Sequence, residues 1–154
     1  MDKAWKSKNY QMRIVRVAAR LAYGTACDVD LGERALRADL ARERGGTGSG
    51  PDPDQLLRAS LASSLVISYR DWSAWLGVEV RGARVELSIE RERSEQRVRW
   101  RRIHGRAQLW SNANEPELLR VLALAHANDS VLASLSPHIA RSFELRRESD
   151  DGSA

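Results

Sequence analysis

The feature that most constrains the fold is one long helix signal in the middle of the chain. Asp52 can cap the free backbone N–H groups, Pro53 fits the first helical position, and Gln55 completes a capping box. The helix is expected to run to about Trp75 or the residue after it, where Gly77 stops it. Its apolar residues spread around most of the circumference, which predicts a central and largely buried helix.

One stripe of this helix departs from the apolar pattern. Ser60, Ser64 and Asp71 fall within a narrow angular sector, flanked by apolar residues. Polar groups on a buried helix need protein partners, water or a cavity. Two interpretations stay open: the serines pack closely and bond back to helix carbonyls, or the stripe lines a cavity.

Strand patterns on both sides of the helix predict an α+β fold. The predicted strands are two within 14–31, a weaker one at 36–40, a long pair over 78–89 and 98–109, and one over 139–145. A capped helix beginning near Asn114 or Glu115 precedes the last strand. We expect one domain over 1–154, with its core at about 12–145 and a polar, frayed tail at 146–154.

Two further segments are interpreted as surface features. Residues 44–51 are glycine-rich and predict a flexible loop, but they lack the Gly-Lys-Ser/Thr ending of a phosphate-binding loop. Arginines and glutamates alternate with apolar residues over 91–106, as on the solvated face of a hairpin whose tip is 91–97. A net charge of +4 on 154 residues is far from a nucleic-acid signature.

The sequence shows no pattern typical of a membrane span or a secretory signal. No apolar run approaches the roughly 18 residues of a membrane span. Lys3, Lys6 and Lys8 have no hydrophobic stretch behind them, so no secretory signal is expected. We therefore expect a cytoplasmic protein with no nucleic-acid or membrane partner.

Cysteine is scarce. Cys27 is alone, so no disulfide can form within one chain. Cys27, His104, His126 and His138 show no metal-ligand spacing, so neither a metal nor a cofactor is expected.

Two motifs resemble the OsmC/Ohr family. GPDPDQLL at 50–57, followed by LASSL at 61–65, is similar to the start of that family's central helix, approximately Gly-Pro-x-Pro-Glu-x-Leu-Leu and then Leu-Ala-x-Cys. AHANDSV at 125–131, with Leu135 after it, resembles Ala-x-x-x-Cys-Pro-Val and a later leucine. The resemblance covers roughly 12–145 and is weakest in the N-terminal strands.

The resemblance implies a fold and an activity. The implied fold has antiparallel sheets packed around a long buried central helix in an intertwined homodimer, with sites at the subunit interface. The implied chemistry is reduction of organic hydroperoxides in oxidative stress, as peroxiredoxin-like enzymes perform it. A peroxidatic cysteine on the central helix attacks the peroxide, a resolving cysteine closes a disulfide, and a dithiol reopens it. In that family an arginine and a carboxylate near the helix start stabilise the thiolate and orient the peroxide.

The family's catalytic positions are substituted. The resemblance places Ser64 at the peroxidatic position, Asp129 at the resolving position and Asp54 at the helix-start carboxylate. Serine is not appreciably ionised near neutral pH and has no sulfenic state. Arg42 and Arg44 are the nearest candidates for the family arginine. The two-cysteine peroxidase mechanism is therefore not expected here. We expect a hydrogen bond between Ser64 and Asp129 in place of the family's disulfide.

Three functions follow as hypotheses. The first is a non-peroxidatic homodimer that binds a small apolar molecule or partner in an interface pocket. Its predicted lining is Leu57, Ser60, Ile67, Trp75 and His126. The second is a residual enzyme, either a thiol peroxidase through Cys27 or a hydrolase in which His126 activates Ser64. The third is a structural role in which the serine stripe is packed shut.

Overall fold

The computed structural model describes residues 15–95 and 97–148. The predictions on the lysines of the N-terminus, on the strand start at Ile14 and on the end of the tail lie outside the described residues. The chain divides into two compact units between Gln55 and Leu56, and each is described by itself.

The first unit contains a three-stranded antiparallel sheet. Its strands are β1 (Ala18–Tyr23), β2 (Ala26–Asp30) and β3 (Ala35–Ala38), in the order β1-β2-β3. Gly24 forms the first turn with a φ of 54°, a left-handed conformation that glycine adopts at little cost. The three short strands predicted from the sequence are confirmed.

The long helix α1 spans Pro53–Leu76 and ends as predicted. The backbone N–H of Asp52 donates to Oε1 of Gln55, and that of Gln55 donates to Oδ1 of Asp52, both at 2.8 Å. This reciprocal pair is a capping box. Gly77 follows the helix with a φ of 70°. The predicted helix and both of its termini are confirmed.

Burial of α1 differs from the prediction. Only one i, i+4 stripe, from Leu61 through Leu65 and Tyr69 to Ser73, is buried. On other faces Ile67 is 60% exposed and Trp75 is 43% exposed. A largely buried helix is therefore wrong for the single chain, because the core of one chain covers a single stripe and leaves much of the apolar circumference in solvent.

The second unit is built on a mixed sheet. Its strands are β4 (Gly82–Arg93), β5 (Val98–Trp110) and β6 (Ala140–Glu148) in that order, and between β5 and β6 lie α2 (Glu115–Asn128) and α3 (Ser130–Ser134). β4 and β5 are antiparallel, but β5 and β6 are parallel. The predicted α+β fold is confirmed, and so is antiparallel pairing except between β5 and β6, where the α2–α3 crossover returns the chain in the direction of β5.

Further details of this sheet test the sequence predictions. β6 continues to Glu148, so the first residues of the predicted frayed tail are strand. The charged hairpin is solvated, as predicted, with ion pairs such as Arg99–Glu92 at 3.0 Å across its strands. Asn114 caps α2 through a capping box with Glu117. No described helix has the length and apolar character needed to cross a membrane.

The core of the second unit lies between this sheet and the helices. β5 contributes alternate residues, as a strand with one buried face does. The buried side chains of this core include Leu61, Leu65, Tyr69, Ile103, Ala107, Leu109, Leu118, Val121, Leu122, Ala125 and Leu132. Asp129, buried at the end of α2, lies at the edge of this apolar cluster with 1% of its surface exposed. A carboxylate in such a place requires hydrogen-bond partners.

Candidate functional site

Ser64 and Asp129 are in contact. The Ser64 hydroxyl donates a 2.7 Å hydrogen bond to Oδ2 of Asp129. This confirms the hydrogen bond expected from the sequence between the two positions. The serine does not bond back to its own helix, unlike Ser63, whose hydroxyl donates to the Ala59 carbonyl at 2.8 Å. The serine stripe thus serves a contact between helices at Ser64.

Asp129 receives two more hydrogen bonds. The Ser68 hydroxyl, one turn after Ser64 on α1, donates to the same Oδ2 at 2.8 Å. The backbone N–H of Leu132 donates to Oδ1 at 2.7 Å, which makes Asp129 the N-cap of α3. Both carboxylate oxygens therefore have donors, and this buried charge is compensated by the protein itself.

Tyr69 and His126 form a second polar pair beside this carboxylate. The Tyr69 hydroxyl lies 2.7 Å from Nε2 of His126. Burial, and then the charge of Asp129, raise the pKa of Tyr69. Burial lowers the pKa of His126, against an opposing effect of Asp129. Both groups are then neutral at pH 7, and the tautomer of His126 decides which of the two donates this hydrogen bond.

The His126 ring is enclosed on its other side by Phe143, with ring centroids 4.2 Å apart. Phe143 in turn occupies the space that a side chain at Gly105 would need, so glycine is required on β5 at that point. His126 thus shares a hydrogen bond with Tyr69 and makes a tilted ring contact with Phe143. A Ser64–His126–Asp129 relay, which the hydrolase hypothesis needs, is not the arrangement observed.

Other predicted site residues lie apart from this cluster. Leu57, Ile67 and Trp75 are exposed on α1, as is Ser60. They share an outward-facing surface, whereas His126 is partly buried among aromatic rings. Of the five residues predicted to line one pocket, the structure therefore brings four onto the α1 surface and places His126 elsewhere.

The remaining candidates belong to the first unit. Asp54 lies in the first turn of α1. Cys27 is a partly buried free cysteine in β2. Arg44 forms an ion pair with Asp52 at 3.6 Å, and Nε of Arg42 donates to the Thr47 carbonyl at 3.1 Å. Both arginines therefore support the local structure of the loop before α1.

Sequence reasoning missed the residue that organises this loop. Asp39 is buried, and its two oxygens accept hydrogen bonds from the hydroxyls of Thr25 and Thr47, each at 2.6 Å. It also accepts from the Ser49 hydroxyl and the backbone N–H groups of Leu40, Thr47 and Ser49. The hydrogen bonds from Thr25 and Thr47 hold the pKa of Asp39 well below its usual range. The loop predicted as flexible is anchored by this carboxylate.

Sequence reasoning also missed Ser68, a donor to Asp129, and Tyr69, the partner of His126. Ser68 is four residues after Ser64, so helix spacing alone places both hydroxyls on one face. Tyr69 carries a buried hydroxyl, which requires a partner, and that partner is His126. Among the described residues no group of three His, Cys, Asp or Glu side chains is placed to hold a metal ion.

Solved structures with the same fold come from several bacteria. An OsmC-like protein of Mycoplasma pneumoniae aligns with a TM-score of 0.79 at 11% identity, over 89% of this chain and 99% of that one. The organic hydroperoxide resistance protein OhrB of Bacillus subtilis aligns with a TM-score of 0.67 at 15% identity, over 88% and 100%. A Vibrio cholerae protein with captopril bound in one of its active sites aligns with a TM-score of 0.70 at 15% identity. The alignment covers 90% of this chain and 95% of that one.

At such low identities these likenesses establish the fold. No curated protein matches the sequence significantly. The family model described as OsmC-like protein matches residues 46–143, which include α1, the β4–β5 hairpin and both later helices. This is more than half of the chain, and the chain belongs to the OsmC-like protein family.

Proposed function

We propose that this chain is a non-peroxidatic member of its family that forms a homodimer and binds a small apolar molecule at the subunit interface. In this account Ser64 and Asp129 stand at the positions of the family's redox cysteines. They join α1 to the start of α3 without redox chemistry.

The Ser64–Asp129 hydrogen bond is the observation that carries the proposal. Peroxide reduction by a thiol needs a sulfur that attacks one peroxide oxygen and then passes through sulfenic acid. The Ser64 oxygen has no such state, and its proton is directed to a carboxylate. Asp129 is engaged with three donors and can form no disulfide. What this pair supplies is a fixed contact between helices.

The exposed face of α1 supports the interface. Leu57, Ile67 and Trp75 are 42%, 60% and 43% exposed in the single chain. They occupy one side of α1, and apolar residues grouped in this way mark protein or ligand contacts. A second copy covering this face would enclose the serine stripe between apolar side chains. That setting suits an apolar ligand oriented by a few hydroxyls.

The related structures give the proposal a precedent. The Vibrio cholerae protein holds captopril in one of its active sites, so the fold in that protein accommodates a small molecule. The Bacillus subtilis protein is an organic hydroperoxide resistance protein. In the proposed function this chain binds a ligand with the same fold and lacks the peroxide chemistry.

Hydroperoxide consumption tests the proposal. The purified chain is mixed with cumene hydroperoxide and dithiothreitol, and the peroxide that remains is measured against a sample without protein. We expect no difference, and consumption at enzyme-like rates would refute the proposal. If consumption is seen, Cys27→Ser and Ser64→Ala separate a thiol route from a hydroxyl route, since each variant removes one nucleophile.

A further inference from the structure

A cavity of about 570 Å³ lies in the second unit beside the end of β5 nearest the hairpin tip. This volume is within the range of small-molecule sites, roughly 300–1,000 Å³. Its apolar lining consists of Leu57, Val98, Trp100, Leu135 and Ile139. We name it the hairpin cavity. It shares only Leu57 with the pocket predicted from the sequence.

The cavity arises from the offset between two parallel strands. β6 pairs with β5 only from Ala140, opposite Arg102. Among the described residues, no strand therefore pairs with β5 before Arg102 on the side away from β4. The turn between α3 and β6 forms the facing wall. Arg141 supports that wall, since its Nη2 donates to the Leu135 carbonyl at 3.3 Å.

A β-bulge adds an arginine to the mouth of the cavity. Glu90 pairs with Arg102 and Arg91 pairs with Trp100, so Arg101 is the additional residue on β5. A bulge of this kind redirects a side chain, and bulges are frequent beside functional sites. Arg101 is exposed and lines the cavity together with Trp100.

The two arginines that line the cavity, Arg99 and Arg101, differ in their ion pairing. Arg99 is paired with Glu92 at 3.0 Å. Arg101 forms no ion pair with any residue in 15–95 or 97–148. Glu90, on which Arg101 acts electrostatically, already bonds to His104 at 2.9 Å. The cavity therefore combines an apolar interior with the Arg99–Glu92 pair and with the exposed guanidinium of Arg101, whose acidic neighbour Glu90 is already hydrogen-bonded to His104.

We propose that the hairpin cavity binds an amphipathic anion, an apolar chain or ring that carries one terminal carboxylate. The apolar part lies against Trp100, Leu135 and Ile139, where its burial is favourable. The carboxylate meets the guanidinium of Arg101, whose planar fork suits two parallel hydrogen bonds. A neutral alcohol of the same length can accept only a weaker hydrogen bond from Arg101, and a cation is repelled by it.

Calorimetric titration of the full chain with two matched probes tests this site. Sodium octanoate and octan-1-ol have chains of the same length and differ in the charged head group. We expect saturable binding of octanoate with one site per chain. Octanoate should bind about tenfold more tightly than octanol, the effect of one charge-assisted hydrogen bond. Equal affinities, or the absence of saturable octanoate binding, would overturn the proposal.

Single substitutions assign the binding to the cavity. Arg101→Gln should remove the preference for octanoate, whereas Arg120→Gln, the same charge change on the exposed surface of α2, should leave both affinities unchanged. Val98→Asp places a negative charge at the lip and should abolish octanoate binding. Val98 is 60% exposed, so this substitution is compatible with folding. An unchanged preference in Arg101→Gln contradicts the proposal.

Different experiments refute the proposed hairpin site and the proposed function. Ile67→Ser alters the exposed face of α1 and not the hairpin cavity, so octanoate affinity should be unchanged in that variant. Octanoate binding that is lost in Ile67→Ser but kept in Arg101→Gln belongs to the α1 face and refutes the hairpin site. Hydroperoxide consumption, in contrast, refutes the proposed function and leaves the octanoate result untouched.

Discussion

Ser64 and Asp129 are 65 residues apart in the chain and are joined by a hydrogen bond of 2.7 Å. Asp129 also caps α3 through the N–H of Leu132. One carboxylate therefore connects α1 to the break between α2 and α3. The contribution of this carboxylate to stability is the first property that can be measured.

Substitutions at this carboxylate should destabilise the chain unequally. Ser64→Ala removes one of two hydroxyl donors to Oδ2 and should lower the free energy of unfolding by about 1–2 kcal/mol. Asp129→Ala removes the acceptor of three donors and the α3 cap, and should cost about 3 kcal/mol or more. Urea denaturation measures both changes.

Ser63→Ala is the matched control, because its hydroxyl bonds only to carbonyls of its own helix. It should change the free energy of unfolding by less than about 0.5 kcal/mol. Equal effects of Ser63→Ala and Ser64→Ala would show that the contact with Asp129 contributes nothing specific.

His126 should make stability depend on pH. Burial lowers its pKa in the folded state, so the unfolded chain binds the proton more readily. Stability is then present above the unfolded pKa of about 6.5 and is lost as the pH falls below it. We expect the Tm to fall between about pH 7 and pH 5, and His126→Gln should show a shallower decrease.

An NMR titration isolates this histidine. The ring signal of His126 should titrate below the ordinary histidine pKa of about 6.5, because burial favours the neutral ring. A pKa of His126 at or above about 6.5 would contradict the account of its burial against Tyr69.

Asp39 should control the order of the loop before α1. Asp39→Asn replaces a charged acceptor by an amide that cannot accept from all the same donors. Hydrogen exchange at the backbone amides of Thr47 and Ser49 should become faster, because both donate to Asp39. Asp30→Asn is a suitable control, since Asp30 is exposed and accepts from the Gly32 amide. Unchanged exchange in Asp39→Asn would show that the loop is ordered by other contacts.

The pKa of Asp39 sets the pH at which this anchoring is lost. Hydrogen bonds from Thr25 and Thr47 lower that pKa in the folded state. The stabilisation is therefore complete above the unfolded pKa of about 3.9 and decreases as the pH falls below it.

The exposed face of α1 should mediate the dimer. Ile67→Ser combined with Trp75→Ser should convert a dimer into a folded monomer, since both side chains are exposed in the single chain. Light scattering gives the mass and circular dichroism gives the helix content. Leu119→Ser, at a 47% exposed residue of α2, should leave the mass unchanged. A wild-type chain that is monomeric at micromolar concentration would contradict the proposed interface.

Features that depend on neighbouring residues could be predicted from the sequence. The start of α1 follows from Asp52 and Gln55, and its end follows from Gly77, because caps involve residues only a few positions apart. The contact between Ser64 and Asp129 could be anticipated through the family motifs around them. Helix spacing also places Ser68 on the same face of α1 as Ser64.

Features that depend on tertiary arrangement could not be predicted. The donors to Asp39 come from residues up to 14 positions away, so their convergence requires the folded strands and loop. The parallel direction of β6 depends on the path of the α2–α3 crossover. The apolar residues around α1 indicate how much of the helix surface must be covered by other parts of the protein or by a partner. They do not distinguish the part covered within one chain from the part left for a partner.

We expect Ser64 and Asp129 to join two helices and to perform no peroxide chemistry. Cumene hydroperoxide consumption with dithiothreitol, measured side by side for the wild type and the double variant Ser64→Cys/Asp129→Cys, tests this expectation most directly. We expect no consumption by the wild type and measurable consumption by the variant, in which a sulfur pair is restored. Consumption by the wild type at the rate of the variant would contradict it.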